Sequence, residues 1–455
     1  MGRLLITGTN SGCGKTTVTC AVLSALKTRG ILPTAFKCGP DYIDPLFHRA
    51  VSDIQAYNLD PFFLDSDGLR THLASRASRF SLIEGAMGYY DGIASTDEAS
   101  AYTVARETET PVILVLSARG AGNSLGAIIE GFTHHRPDSQ IKGVIFNDAD
   151  EKRYSDLKQI AGNVGLRAYG HMPHKEKWSF SSRHLGLLMP DDIIGLQNML
   201  SELGSQAEQT VDMDGLIALA ETAPTLQTAQ KPEYFHTKRH RLAVARDEAF
   251  CFHYEENLEL LQVLGCEIVF FNPLRDKTLP PHISGLYLCG GYPELHAKAL
   301  SENTSMIKSI KQSVESGLPT IAEGGGFLYL HESLDGIPMC GVIKGRAYET
   351  KRLQRFGYIT LTAGRDNLLC EAGGTIRSHE FHYWDSSCPG DSFTARKAGR
   401  ELIYTCVHAT NTLYAGFPHL YFLANPSFAE TFVERMVRYE RNVYGRSHET
   451  WRKHR

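Results

Sequence analysis

One short string limits the fold of this chain more than any other. Residues 8–17 read GTNSGCGKTT, between the strand-like run LLIT (4–7) and a helix-like stretch beginning at Val18. Strand, glycine-rich turn and helix in that order predict a phosphate-binding loop. Backbone N–H groups of the turn and of the first helical turn face the anion, and the helix N-terminus adds favourable charge. Gly12 and Gly14 shape the turn. Lys15 is placed to reach a nucleotide's β- and γ-phosphates, Thr16 to hold Mg²⁺, and Thr17 completes the GKTT string. Five residues separate Gly8 from Gly14, one more than in the standard motif.

Such a loop implies an α/β sheet. FSLIEGAMG (80–88), TPVILVLSA (110–118) and IKGVIFND (141–148) are short continuous apolar runs, the pattern of parallel strands covered on both faces. PTAFKCG adds another. Residues 223–240 are polar, carry two prolines and have no apolar period, so they read as a linker. The rhythm restarts with RLAVARD (241–247), CEIVFF (266–271), GLYLCGG (285–291) and PTIAEGGGFLYL (319–330), with a helix expected after each of the first three. Residues 341–425 are richer in strand-like pieces. The expected organisation is a domain at 1–222, a linker at 223–240, a domain at 241–435 and a polar tail at 436–455. A chain of 455 residues exceeds one ordinary core, which agrees.

Composition narrows the function by exclusion. The net charge of −4 gives no general attraction to nucleic acid or an anionic membrane. No apolar run reaches the ~18 residues of a spanning helix, and no basic stretch followed by an apolar run opens the chain. Ten scattered cysteines show no CxxC pair, so reduced thiols in a cytoplasmic protein are expected.

Acidic residues close to strand ends point to phosphoryl chemistry. In LIEGAMGYYDG (82–92) a strand ends at Glu84 and Asp91 follows on the loop. In KCGPDYIDPLFH (37–48) Gly39 and Pro40 present Asp41 and Asp44. Carboxylates beside a triphosphate need a bridging cation, so Thr16, Asp41 and Glu84 are the candidate Mg²⁺ ligands. Asn147 ends another strand and is a candidate nucleotide contact. The histidine pairs His171/His174 (HMPH) and His379/His382 (HEFH) lack a third ligand at recognisable spacing and read as structural or substrate-facing.

These strings, with NLDPFF (58–63), RHLGLLMP (183–190), ARDEAFCFHY (245–254), GGYPELHA (290–297), KRLQRFGY (351–358) and SHEFHY (378–383), resemble the cobyrinic acid a,c-diamide synthase family over residues 4–433. The resemblance implies two α/β domains. The first is a P-loop NTPase-like parallel sheet similar to dethiobiotin synthetase. The second is a class I glutamine-amidotransferase-like domain. It also implies ATP and Mg²⁺ as cofactors and amidation of the a- and c-acetates of cobyrinic acid through acyl phosphates. Hydrogenobyrinic acid, nickel-sirohydrochlorin or another tetrapyrrole polycarboxylate is an alternative substrate, and a non-catalytic nucleotide-binding homologue is a further alternative. Asp41 and Asp91 would flank the reacting carboxylate, and Tyr42 and Ile43 would contact the ring. Arg183, His184, Lys351, Arg352 and Arg355 are candidate partners for its carboxylates. A homodimer is the default expectation.

The family pattern breaks at one place. A nucleophilic cysteine is expected in the string AECGG, and here residues 322–330 read AEGGGFLYL, with Gly324 in its position. Glycine cannot form a glutamyl thioester. His419, in AGFPHLYF, matches the catalytic base. Nitrogen from glutamine therefore stands open beside free ammonia, or ammonia from a separate glutaminase. Cys289, before the GGYPE loop where the family commonly has glycine, reads as a small buried filler rather than a relocated nucleophile. Ser378 also stands where the family usually has glycine.

Overall fold

The structure, a computed structural model, describes residues 2–51, 54–178, 189–190, 193–228 and 239–452, with side chains described as far as residue 445. It divides into two compact units, Met1–Lys231 and Pro232–Arg455. Residues 229–238, most of the segment read as a linker, lie outside the described residues.

The first unit is built on seven parallel strands: β1 (Gly2–Gly8), β2 (Thr34–Cys38), β3 (Gln55–Leu59), β4 (Phe80–Glu84), β5 (Val112–Ser117), β6 (Ile141–Asn147) and β7 (Arg167–Met172). Their spatial order is β3-β2-β4-β1-β5-β6-β7. Leu4, Leu5, Ile6, Leu82, Ile83 and Val112 to Val115 are wholly buried, which is why these stretches read as unbroken apolar runs. Asp65, Ser100, Asp150 and Asp212 each accept a hydrogen bond from a backbone N–H three residues on and so start helices. The helix after β1, α1 (Lys15–Thr28), differs. It begins at Gly14 with no side-chain cap and no acid in its first turn, so its leading N–H groups are left for a ligand.

The second unit holds a six-stranded sheet and an antiparallel five-stranded sheet. In the former, Leu413–Gly416, Thr320–Glu323, Gly285–Leu288, His240–Ala245 and Cys266–Phe271 run parallel, with His408–Ala409 antiparallel at one edge. The latter has the order Ile403–Cys406, Phe393–Lys397, Arg355–Ala363, Thr375–His382, His419–Leu420. Residues His331–Leu334, Ile337–Pro338, Ile343–Glu349 and Trp384–Ser386 make a smaller third sheet.

Two expectations change. No helix follows Cys266–Phe271: residues 272–284 form turns instead. Pro273, Pro280 and Pro281 remove helical donors, and Asn272 and Asp276 exchange hydrogen bonds with nearby backbone in a turn. The polar segment 436–455 is not simply a tail. The helix Ser427–Arg452 runs through most of it, and Met436 is buried against Gly285, where an added Cβ would come within 2.8 Å of its sulfur. Among the described residues no helix is long and apolar enough to cross a membrane.

Candidate active site

The phosphate loop is held in shape by its own contacts. Gly14 has φ +100°, and a Cβ there would collide with the Asn147 amide; glycine is required on both counts. Asn147, at the end of β6, donates through Nδ2 to the Cys13 carbonyl at 3.2 Å, so it braces the loop backbone. Gly12 has φ +83° and open space around it. Lys15 is buried and donates to the Asn10 carbonyl at 2.9 Å; burial lowers its pKa. Thr17 lies half-buried in the first turn of α1.

Below the loop lies a buried charge cluster that the sequence only partly announces. Glu84 ends β4 with no solvent exposure. Its Oε1 accepts from Thr16 Oγ1 at 2.7 Å and from Lys37 Nζ at 3.0 Å, and its Oε2 lies 2.7 Å from His48 Nε2. Lys37, in β2, stands in register beside Glu84 and also reaches Asp44 Oδ2 at 2.5 Å. Burial works against charge on Glu84, but Lys37 and His48 outweigh it and hold the carboxyl well below its ordinary range. Asp44 goes the other way, pushed up by burial to about 8. One ammonium thus serves two carboxyls, and a further cation beside Asp44 would favour its ionised form.

The two loop acids divide their work. Asp41 Oδ1 accepts from the backbone N–H groups of Ile43 and Asp44 and so starts helix α2 (Ile43–Ala50). Asp44, one turn on, is the acid near Thr16, at 3.4 Å. Asp91 turns back on its own loop and accepts from Gly88 N at 2.8 Å.

In the second unit, Thr320–Glu323 leads into the helix Gly325–Leu330 through Gly324, whose φ of 48° and ψ of −108° form a sharp elbow. A Cβ on Gly324 would lie 2.8 Å from both Cε1 and Nε2 of His419, so the imidazole edge faces bare backbone. Glu323 is buried behind it. Its Oε2 accepts from Tyr287 Oη at 2.8 Å and lies 3.7 Å from His419 Nδ1, while Oε1 accepts from Leu420 N. Gly290 packs against the same imidazole. Cys289 is fully buried, its thiol donates to the Ala245 carbonyl, and burial pushes its pKa well up. That is an inert thiol.

Residues 4–187 match the CobQ/CobB/MinD/ParA nucleotide binding domain, and residues 241–426 match the CobB/CobQ-like glutamine amidotransferase domain. Cobyrinate a,c-diamide synthase of Clostridium acetobutylicum is 37% identical over 444 residues, covering 95% of this chain and 100% of the relative. The proteins of that name from Caldanaerobacter subterraneus and Thermoplasma volcanium are each 36% identical, over 95% and 96% of this chain and 97% and 98% of their own lengths. The chain belongs to the cobyrinate a,c-diamide synthase family.

Membership makes it an ATP-using carbon–nitrogen ligase with an amidotransferase-type second unit. Within this family member, Lys37 and His48 are the site residues that sequence reasoning passed over, although both lie in the quoted string KCGPDYIDPLFH. Their signal was that a lysine and a histidine flank the two candidate acids. The remaining candidates lie elsewhere. His171 stacks on Tyr154 and His174 pairs with Asp148. His382 stacks on Phe417, and His379 stands opposite His419. Arg355 lies over the Tyr404 ring, while Lys351 and Arg352 are exposed. Arg183 and His184 fall outside the described residues.

Proposed function

We propose that this chain amidates the acetate carboxylates of a tetrapyrrole polycarboxylate, cobyrinic acid first among them, using ATP and free ammonia. The relatives' shared name supports the substrate. The observation that carries the ammonia reading is Gly324: the elbow, His419 and Glu323 are kept, but the position that must attack glutamine has no side chain.

A free carboxylate is a poor electrophile, so the substrate oxygen first attacks the γ-phosphorus and ADP leaves. Ammonia then attacks the acyl carbon of the acyl phosphate and inorganic phosphate departs. Lys15 and the uncapped N–H groups of α1 stabilise charge on the transferring phosphoryl group, and Lys37 adds a second ammonium nearby. The donor set also fits Mg²⁺. The Thr16 hydroxyl lies within 3.4 Å of both a Glu84 and an Asp44 oxygen, all hard ligands. Bound there, Mg²⁺ neutralises triphosphate charge.

Mass spectrometry of the corrinoid product tests this reading. With ATP and ammonium salts, products in which one and then two carboxyls have become carboxamides are expected, each step lowering the mass; with ammonia-free glutamine, none. Hydrogenobyrinic acid and nickel-sirohydrochlorin are parallel arms. Turnover with glutamine alone overturns the ammonia assignment. Mg-ATP binding without turnover of any tetrapyrrole overturns the ligase reading in favour of a non-catalytic homologue.

A further inference from the structure

Just past the carboxyl end of β4 the chain makes a short loop, residues 85–89, fastened to β1 and to the phosphate loop. Gly85 N donates to the Ile6 carbonyl at 2.8 Å, and Tyr89 N donates to the Gly8 carbonyl at 2.9 Å. Gly88 lies so close that an added Cβ would stand 2.7 Å from the Thr9 carbonyl oxygen. Two tyrosines hold the far end. Tyr89 is fully buried and donates to the Ser139 carbonyl, and Tyr90 donates to the Phe132 carbonyl at 2.7 Å. Between these anchors stands Met87, with φ +50°. That left-handed conformation costs any residue with a Cβ, and glycine would remove the cost. Burial of the side chain does not offset it, because Met87 is 44% exposed.

An exposed methionine alone calls for no explanation. One that is strained, rigidly backed and set beside a phosphate loop does, because strain of this kind persists where a site uses it. The chemistry says what comes to this place. An acceptor carboxylate has to lie about 3–3.5 Å from the γ-phosphorus before it can attack. An acetate arm is one methylene long, so the ring that bears it comes within a few bonds of the phosphate loop. The ring surface between the carboxylate arms is broad, apolar and uneven. Methionine is unbranched and polarisable, and moulds itself to such a surface. We propose that Met87 is a substrate contact, its thioether packing on the macrocycle next to the acetate being phosphorylated. The strained backbone presents the side chain to the ring, and the tyrosine anchors keep it there when the site is empty. This rests on the amide-synthase reading and adds a specificity-determining residue in the first unit.

Equilibrium binding of cobyrinic acid to the full-length chain, with KM and kcat for its amidation, provides the test. Wild type is compared with Met87→Leu, Met87→Gln and Met87→Gly. Melting and Mg-ATP titration verify that each variant is folded. Glutamine keeps the length and the backbone cost but loses the apolar surface; glycine loses the side chain and the cost together. Both should weaken corrinoid binding and raise KM by about tenfold, with kcat at saturation and Mg-ATP affinity within about twofold. Leucine, still apolar and of similar volume, should stay within about threefold of wild type. Wild-type corrinoid affinity in the glutamine and glycine variants overturns the proposal while leaving the amide-synthase reading intact. Weakening in the glycine variant alone overturns it too, because the loop's shape rather than the thioether then matters. A matching loss of Mg-ATP affinity does the same, placing Met87 in the nucleotide site. Failure of wild type to bind any tetrapyrrole acid while it binds Mg-ATP removes the substrate reading and this proposal together.

Discussion

Gly324 decides what the second unit can do, and one substitution interrogates it. The elbow backbone is of the kind that holds a nucleophile, and the atoms a new Cβ would meet are the far edge of the His419 ring rather than main chain. Gly324→Cys should therefore be accommodated by a small swing of His419. Its cost is about 1–2 kcal/mol, from placing a side chain at φ 48°. The variant is expected to gain a thiol that alkylates quickly, against a background in which Cys289 is buried with its pKa raised, together with glutamine-dependent amide product. Iodoacetamide labelling followed by peptide mapping, and amidation with glutamine, measure the two gains separately. Labelling without glutamine use would place a second defect at His419 or Glu323.

Elements brought together by the sheets carry two effects that individual residues do not reveal. Lys37 in β2 and Glu84 in β4 meet only because those strands are neighbours in register. Lys37→Met leaves Glu84 and Asp44 without their ammonium, a loss of about 3–5 kcal/mol. Millimolar Mg²⁺ should restore part of it, so the melting temperature of the variant should rise with Mg²⁺ more steeply than that of wild type. This is why the cluster was only half legible: a lysine inside PTAFKCG looks like an ordinary strand position until its partner, 47 residues away, is beside it. The phosphate loop was legible because its glycines, lysine and flanking apolar runs are contiguous. β3 (QAYNL) and β7 (RAYGHM) were not, since each mixes polar with apolar residues, and the missing helix after CEIVFF was hidden in a proline-rich turn. A second effect sits at His331, the first residue of His331–Leu334. It is buried between the Phe327 carbonyl and the Ser386 hydroxyl, and burial lowers its pKa to about 4. Between about pH 6.5 and 4 the unfolded chain takes up a proton that the folded chain refuses. The neutral histidine's contribution is then complete above pH 6.5 and is lost as the pH falls towards 4, about 3 kcal/mol in all. Denaturant unfolding of wild type and His331→Gln across that range should show a shallower pH slope for the variant; equal slopes would mean that other groups carry the effect.

Taken as a whole, the chain has two units, each with its own sheet system and buried core, and only Met1–Lys231 contains the phosphate loop. A ligand that binds one native unit stabilises it by mass action, about 2.7 kcal/mol at a hundred times its dissociation constant. For a unit of this size that corresponds to a rise of roughly 5–10 °C in melting temperature. Calorimetry with saturating Mg-ATP is expected to show one transition moving up by this amount and a second staying in place. Lys15→Ala, which removes the loop ammonium, should keep both transitions and lose the shift. If wild type instead shows a single transition that moves up with Mg-ATP, the two units unfold as one cooperative block, and nucleotide binding in the first unit then stabilises the sheet that carries His419. If neither moves while the protein still amidates its substrate, ATP binds too weakly in isolation to be seen this way. The same scan with the tetrapyrrole acid present then reveals whether the nucleotide site is completed by substrate.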